Sequence, residues 1–257
     1  MGNLLKMDLY RMNKSRSFRV CLILAFVLAL IWGPIIKGLS ILVGMLGGDV
    51  PASMNATEMA LADIIADPFI VMNAMLILLS ASSFFYADIE HGYIKNIAGQ
   101  MPKKGYTVLS KFLAMIPHNL VFMLAGVAGN LIGSLICFRI TGGSVLDAVR
   151  IFVLKFLLIQ SICAILLLLT ATLRSKSFGA VVAVLFGLGL LSLIYSGLDA
   201  AIGQVWKDKP FKLWEIMPDQ VMGEKNPDTV RALLVAAVTT VLFLPAAIKG
   251  FDKRDVK

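Results

Sequence analysis

The side chains able to do chemistry in this sequence are few, and their spacing argues against most enzymes. The two histidines, His91 and His118, lie far apart, and neither belongs to a His-Glu-x-x-His metal pattern. Cys21, Cys137 and Cys163 fall singly inside apolar runs and read as small buried hydrophobes, with no disulfide or metal role. Ser82 or Ser83 with His118 supplies a nucleophile and a base on paper, but without the spacing signature of a hydrolase. No Gly-x-x-x-x-Gly-Lys-Ser/Thr segment exists to cradle nucleotide phosphates. Gly187-Leu-Gly189 sits within an apolar run, away from any strand-to-helix turn, and reads as helix packing. What remains are polar residues inside long apolar stretches: Asn73 with Ser80, Ser82 and Ser83, then His118, Asn119 and Asn130, then Lys155 and Gln160. Such residues are costly in lipid, which makes Asn73, His118, Asn119 and Lys155 candidates for a translocation path; interhelical hydrogen bonding is the structural alternative. Lys155 lies ~12 Å along the helix axis from Asp147, where it either snorkels to the interface or faces a polar cavity.

The elements that carry these residues follow from composition. Of 257 residues, 58% are hydrophobic and 16% charged, and the mean hydropathy is +0.84. An average soluble domain has roughly 25% charged residues, so the solvent of this chain is lipid. Its apolar runs are continuous rather than alternating, which selects helices over a barrel. Six spans are expected, at 18–39, 65–86, 112–138, 145–173, 178–198 and 232–248, in one all-α transmembrane domain over 1–257. Pro34 falls in the first span, where a membrane helix tolerates a kink, and Lys37 near its end can snorkel outward. Gly129 and Gly133 have the small-xxx-small spacing that permits close helix approach, within the chain or across a dimer.

An even number of spans puts both termini on one side. On that side stand fifteen Lys and Arg against five acidic residues; the other side has nine against eleven. The positive-inside rule therefore places both termini in the cytoplasm, and the formal net charge of +8 reports topology, with no nucleic-acid partner implied.

Three segments outside the spans are informative. Residues 1–16 place Leu4, Leu5, Leu9 and Met12 in one helical sector, the pattern of a short helix on the inner leaflet. Asp8 interrupts that sector and can pair with Arg11 three residues on. In the loop ADIEHGYIKNIAGQMPKKGYTVLSKF, residues Ile94, Ile97, Ala98 and Met101 recur at helical spacing and Pro102 ends the run. A short amphipathic helix over 88–101 is expected, with Asp88 and Glu90 at its start, where the helix dipole favours acids; it either rests on headgroups or docks a soluble partner. The segment 199–228 mixes Trp206, Phe211 and Trp214 with charges, which suits short helices at the outer headgroup zone. The sequon Asn55-Ala56-Thr57 faces the same side.

The basic helix LLKMDLYRMNKSRSF, the second span ending in YADIEHGYIKN, the following Pro102 and YTVLSK, the turn LRSKSFG and the tail FDKRDVK together resemble the six-helix permease subunits of type-2 ATP-binding-cassette (ABC) exporters. The likeness covers essentially the whole chain and is nearest to bacterial permeases that expel, or protect against, amphipathic peptides and antibiotics. It implies a multi-pass protein of the bacterial cytoplasmic membrane. Glu90, Gly92, Tyr93, Lys95 and Asn96 would form the coupling segment that fits a cleft in a separate ATPase subunit, with Lys6, Asp8 and Arg11 on the neighbouring N-terminal elbow helix. It implies a second permease copy or a sister permease, and a peptide or small lipophilic substrate. ATP and Mg would be held by the ATPase, leaving this chain without cofactor, metal or catalytic residues of its own. One departure is Lys103-Lys104-Gly105, where many such permeases have a small residue followed by Arg. Two other functions compete: an ion-coupled secondary transporter, which would ordinarily carry central acidic residues and an internal repeat absent from these spans, and ABC-driven flipping of lipid.

Overall fold

The computed structural model describes residues 2–46, 58–66, 69–90, 105–173, 176–206 and 212–252. They form an almost wholly helical bundle. Helix α1 (Gly2–Lys14) is followed by α2 (Arg16–Met45), then by a short strand β1 (Glu58–Ala60), α3 (Leu61–Ala66) and α4 (Phe69–Glu90). Next come α5 (Tyr106–Cys137), strand β2 (Arg139–Thr141), α6 (Val145–Leu173), α7 (Lys176–Gly187) and α8 (Leu191–Val205). The short α9 (Leu213–Ile216) and α10 (Pro218–Gly223) lead into α11 (Thr229–Asp252).

Among the described residues, α2, α5, α6 and α11 are each long and apolar enough to cross a membrane, and α7 with α8 makes a fifth if that bent pair is one span. Helix α4, 22 residues long, carries the part of the run read at 65–86 that begins at Phe69, while Ile65 and Ala66 end α3. Helix α2 continues through Pro34 to Met45, beyond the expected end at residue 39. At that end the Lys37 ammonium lies 5.7 Å from the centroid of the Phe138 ring.

Two features depart from the sequence expectation. The run at 178–198 is not one straight helix: α7 and α8 are bent by 78°. Gly189 between them adopts φ +67°, a conformation open to glycine and costly for other residues. Gly187 instead packs against the backbone of Met75 in α4, so the two glycines of Gly187-Leu-Gly189 do different work. The second departure is a parallel pairing of β1 with β2, Glu58 opposite Arg139, which ties the two loops at one end of the bundle.

The layout inverts that of a soluble protein. Helix α6 is central, with 67% of its most apolar stretch buried in protein, against 17% for α2. Leu158, Ile162, Cys163 and Leu166 of α6 meet Leu78 and Ala81 of α4 and Met115 and Phe122 of α5 in one core. The outward faces remain apolar: Ile23 on α2 is 63% exposed and Val241 on α11 is 69% exposed. Large apolar faces turned outward around polar residues turned inward are what a lipid solvent selects.

A contact at backbone distance joins α2 to α5 within the chain. Ala25, Ala29 and Gly33 recur every four residues along the buried face of α2, opposite Gly129 and Gly133. A Cβ on Gly129 would lie 2.6 Å from the carbonyl oxygen of Phe26, and one on Gly133 would collide with that of Leu30. The small-residue spacing on α5 thus serves an internal interface. Gly133→Ala is expected to lower the thermal unfolding midpoint of the purified protein by the equivalent of about 1–3 kcal/mol, as overpacking does. Gly38→Ala, where nothing stands within 4 Å, should hold or raise it, because alanine is the better helix former.

Candidate functional site

Helix α1 buries Leu4, Asp8 and Met12, one residue per turn on a single face. The acid that interrupts the apolar stripe is therefore fully enclosed, and its partners come from other helices. The hydroxyl of Ser110 on α5 donates to Asp8 Oδ2 at 2.5 Å. Arg11 reaches past Asp8 to form an ion pair with Asp88 Oδ1 near the end of α4. Lys111 on α5 approaches Asp88 Oδ2 at 2.8 Å. The same ammonium donates to the carbonyl of Phe84 at 3.2 Å and stands 4.2 Å from the centroid of the Phe84 ring. Two carboxylates and two cations, from three helices, close into a neutral and largely buried cluster.

The cluster extends one sequence reading and corrects another. Arg11 acts on Asp8 electrostatically, as expected, but it forms its ion pair with Asp88, and Asp8 accepts from Ser110. Asp88 and Glu90 belong to the last turn of α4 rather than to the start of the next helix. There the helix dipole disfavours a carboxylate, and the two cations facing Asp88 offset that cost. Burial pushes the Asp8 carboxyl above its ordinary value near 3.8, opposed by Lys111 and by the Ser110 hydrogen bond.

A second tie stands beside the first. The backbone N–H of Gly105, just before α5, donates to Asp252 Oδ1 at the end of α11 at 2.6 Å, satisfying one of the donors a helix start leaves open. The chain entering the interval 91–104 is thus held by Arg11 and Lys111, and the chain leaving it by Asp252. Gly92, Tyr93, Lys95 and Asn96 lie outside the described residues, as does most of the helix expected at 88–101. Glu90 ends α4 and is exposed, and Lys6 is exposed on α1.

Among the intramembrane candidates, His118 and Asn119 join one connected set. His118 Nε2 is 3.0 Å from Ser80 Oγ, and His118 Nδ1 is 2.9 Å from Asn119 Oδ1. The Asn119 amide donates to Gln160 Oε1 at 2.8 Å, and the Gln160 amide to the carbonyl of Phe112 at 3.0 Å. This chain crosses α4, α5 and α6 beside Pro117, whose missing N–H loosens the backbone ladder of α5 locally. Phe18 and Phe122 pack on the imidazole at centroid distances of 5.4 and 4.8 Å. The serine that meets His118 is Ser80; Ser82 donates to its own helix, to the carbonyl of Leu79. A serine, a histidine and an amide in line resemble a nucleophile array, but all three are buried and the imidazole is flanked by aromatics. The arrangement is an interhelical polar tie. Asn73 lies apart, lining a small cavity with Ile77, Met123 and Val127. Lys155 is fully enclosed within the bundle, not reaching for its surface.

Lys111 and Ser110 were missed by sequence reasoning because they sit at the edge of an apolar run and look like an ordinary interfacial pair. The available signal was Asp8 itself: an acid in the apolar stripe of a short helix demands a partner on whatever covers it.

In comparison with known proteins, no family model matches the chain and no curated protein matches it significantly.

Removing Asp88 leaves two cations facing each other, so Asp88→Asn is expected to cost about 3–5 kcal/mol, as broken buried pairs do, read as a lowered unfolding midpoint at pH 7. Asp8 should behave oppositely. Its folded pKa is raised, so the folded state holds the proton more tightly, and Asp8 lowers stability as pH rises above 3.8 through the folded value. Asp8→Asn should therefore unfold at pH 7 close to the wild-type midpoint or above it, and should flatten the dependence of that midpoint on pH in the acid range.

Proposed function

We propose that this chain is the membrane-spanning subunit of an ABC exporter, a six-span permease with both termini in the cytoplasm of a bacterial cell, serving amphipathic peptides or lipophilic antibiotics. The observation that carries the reading is the charge cluster around Asp88. It fastens the chain on one side of the interval 91–104 to α1 and α5, while Asp252 fastens the other side to α11. A segment anchored to three helices is mechanically suited to deliver a push from a soluble motor into the bundle.

In this reading α1 is the elbow helix, α7 and α8 form one broken span, and the region around Glu90, Gly92, Tyr93, Lys95 and Asn96 meets the ATPase. Closure of two ATPase subunits on ATP moves that region, and α1, α4 and α5 follow as a body because their shared charges resist separation. Coupling then travels as rigid-body rotation of helices. ATP and Mg stay on the ATPase, and a second permease copy or a sister permease completes the path.

An ion-coupled transporter is the second reading, favoured by the burial of Lys155 at 0% exposure within α6, since enclosed ionisable groups mark ion pathways in membranes. The two readings part in reconstituted vesicles. Export driven by ATP and a co-purified ATPase, sensitive to vanadate and indifferent to ionophores, supports the ABC subunit; export abolished by ionophores and indifferent to vanadate supports the other. Glu90→Lys and Gly92→Val are expected to abolish ATPase co-purification and transport while membrane insertion persists. Wild-type transport in both variants would overturn the coupling assignment.

A further inference from the structure

At the end of the bundle opposite the Asp88 cluster, α3, the first turns of α6 and the chain entering α11 line an open pocket of about 350 Å³. Its polar lining is of both signs: Asp63 from α3, Asp147 and Arg150 from α6, and Lys225 with Asn226 from the segment before α11. Below it Ile65, Ala148 and Ile151 form a separate small apolar cluster that braces α3 on α6. Opposite charges sharing so small a space would ordinarily pair. Yet among the described residues no ion pair joins any of these four charges to another. The Arg150 guanidinium spends a donor on the side-chain oxygen of Asn226, which holds it in place, while its buried Nε has no acceptor.

Two carboxylates and two cations that line one pocket without pairing with one another match a ligand that carries both charges. A purely anionic ligand would meet Asp63 and Asp147, and a purely cationic one would meet Arg150 and Lys225; each would leave two charges uncompensated. The neighbouring face of α6 adds a second constraint. Leu146 and Val153, which flank Arg150 on the surface of α6 at i−4 and i+3, are apolar and exposed, Leu146 at 80%. A ligand with a zwitterionic head and apolar tails satisfies both surfaces.

We propose that this pocket binds the headgroup of phosphatidylethanolamine. Asp63 and Asp147 receive the primary ammonium, Arg150 and Lys225 the phosphate, and the acyl chains follow the apolar strip of α6 beside Arg150, over Leu146 and Val153. The ammonium's N–H donors matter as much as its charge, because charge-assisted hydrogen bonds to carboxylates are the strong ones. Choline, which has the charge without those donors, fits less well. The site stands independently of the transport reading, since it uses none of the residues assigned to coupling.

The test uses the full chain purified in detergent, incubated with phosphatidylethanolamine, phosphatidylcholine or phosphatidylglycerol of matched acyl chains and examined by native mass spectrometry. Wild-type protein is expected to retain phosphatidylethanolamine about tenfold or more over phosphatidylglycerol, the ratio that one charge-assisted hydrogen bond provides, with phosphatidylcholine between them. Asp63→Asn with Asp147→Asn should abolish that preference, and Arg150→Gln should weaken retention of all three lipids. Lys225→Gln, on an exposed loop residue, should lower retention in the same direction in a variant whose folding is not at risk, and lipid-free unfolding midpoints identify any variant that misfolds. Equal retention of phosphatidylethanolamine and phosphatidylglycerol by the wild type would overturn the proposal. So would a preference unchanged in the Asp63/Asp147 variant, or retention unchanged in Lys225→Gln. Soluble phosphoethanolamine should displace the bound lipid only at large excess; displacement at equal concentration would show that the head alone is the ligand and overturn the lipid assignment.

Discussion

Asp88 sits between Arg11 and Lys111 in a place where a carboxylate has little to recommend it. It ends a helix, where the dipole repels it, and it is withdrawn from water. Moving charges of this kind out of water costs several kcal/mol per ion even after relaxation, so the cluster is tolerable only if all of its members arrive together. Arg11 comes from α1, Asp88 from α4 and Lys111 from α5, and Asp8 shares the space through Ser110. None of the three helices can shift alone without stranding a charge. Much of the bundle's end depends on that condition: the seating of α1 on α5, and the direction in which the chain leaves α4 and re-enters at Gly105.

The rest of the bundle is held by a different physics. Lipid supplies no hydrophobic reward for bringing apolar helices together, so association rests on close packing and interhelical hydrogen bonds. Both are present in separate places. The outer helix α2, mostly apolar on its exposed side, is held to α5 by glycine and alanine at backbone distance. The central α6 is held to α4 and α5 by the line from Ser80 through His118 and Asn119 to Gln160, whose amide also donates to the carbonyl of Phe112. Of the candidates for a transport path, His118 and Asn119 belong to this line. Asn73 lines a small cavity of its own.

These two holding modes suit a molecule that moves in pieces. Helices α1, α4 and α5 are bound at one end by charge, while α7 and α8 are separated by a glycine bend. Such a division gives the proposed exporter a stiff unit for receiving force and a less continuous one elsewhere. The mixed-charge pocket at the opposite end lies beside the lipid-facing side of α6, at a distance from both.

Much of this was legible from residue types alone. The membrane character, the helical class and the positions of the long apolar runs follow from composition and periodicity, because lipid leaves the backbone only one way to satisfy itself locally. Gly129 and Gly133 announced a close approach, and Asp8 announced a mismatch in its stripe. What the residues could not disclose were the partners. Whether Gly133 meets α2 or another copy, whether Arg11 turns to Asp8 or to Asp88, and whether His118 finds Ser80 or Ser82 are choices among groups with similar local credentials. Local spacing limits the distance between two residues of one helix, but a contact across helices depends on how the helices are rotated and offset, and that is set by all of their packing at once. The sequence by itself determined the solvent and the elements; only the tertiary structure decided which buried charge neutralises which, because desolvation is a property of the assembled surroundings rather than of any residue in them.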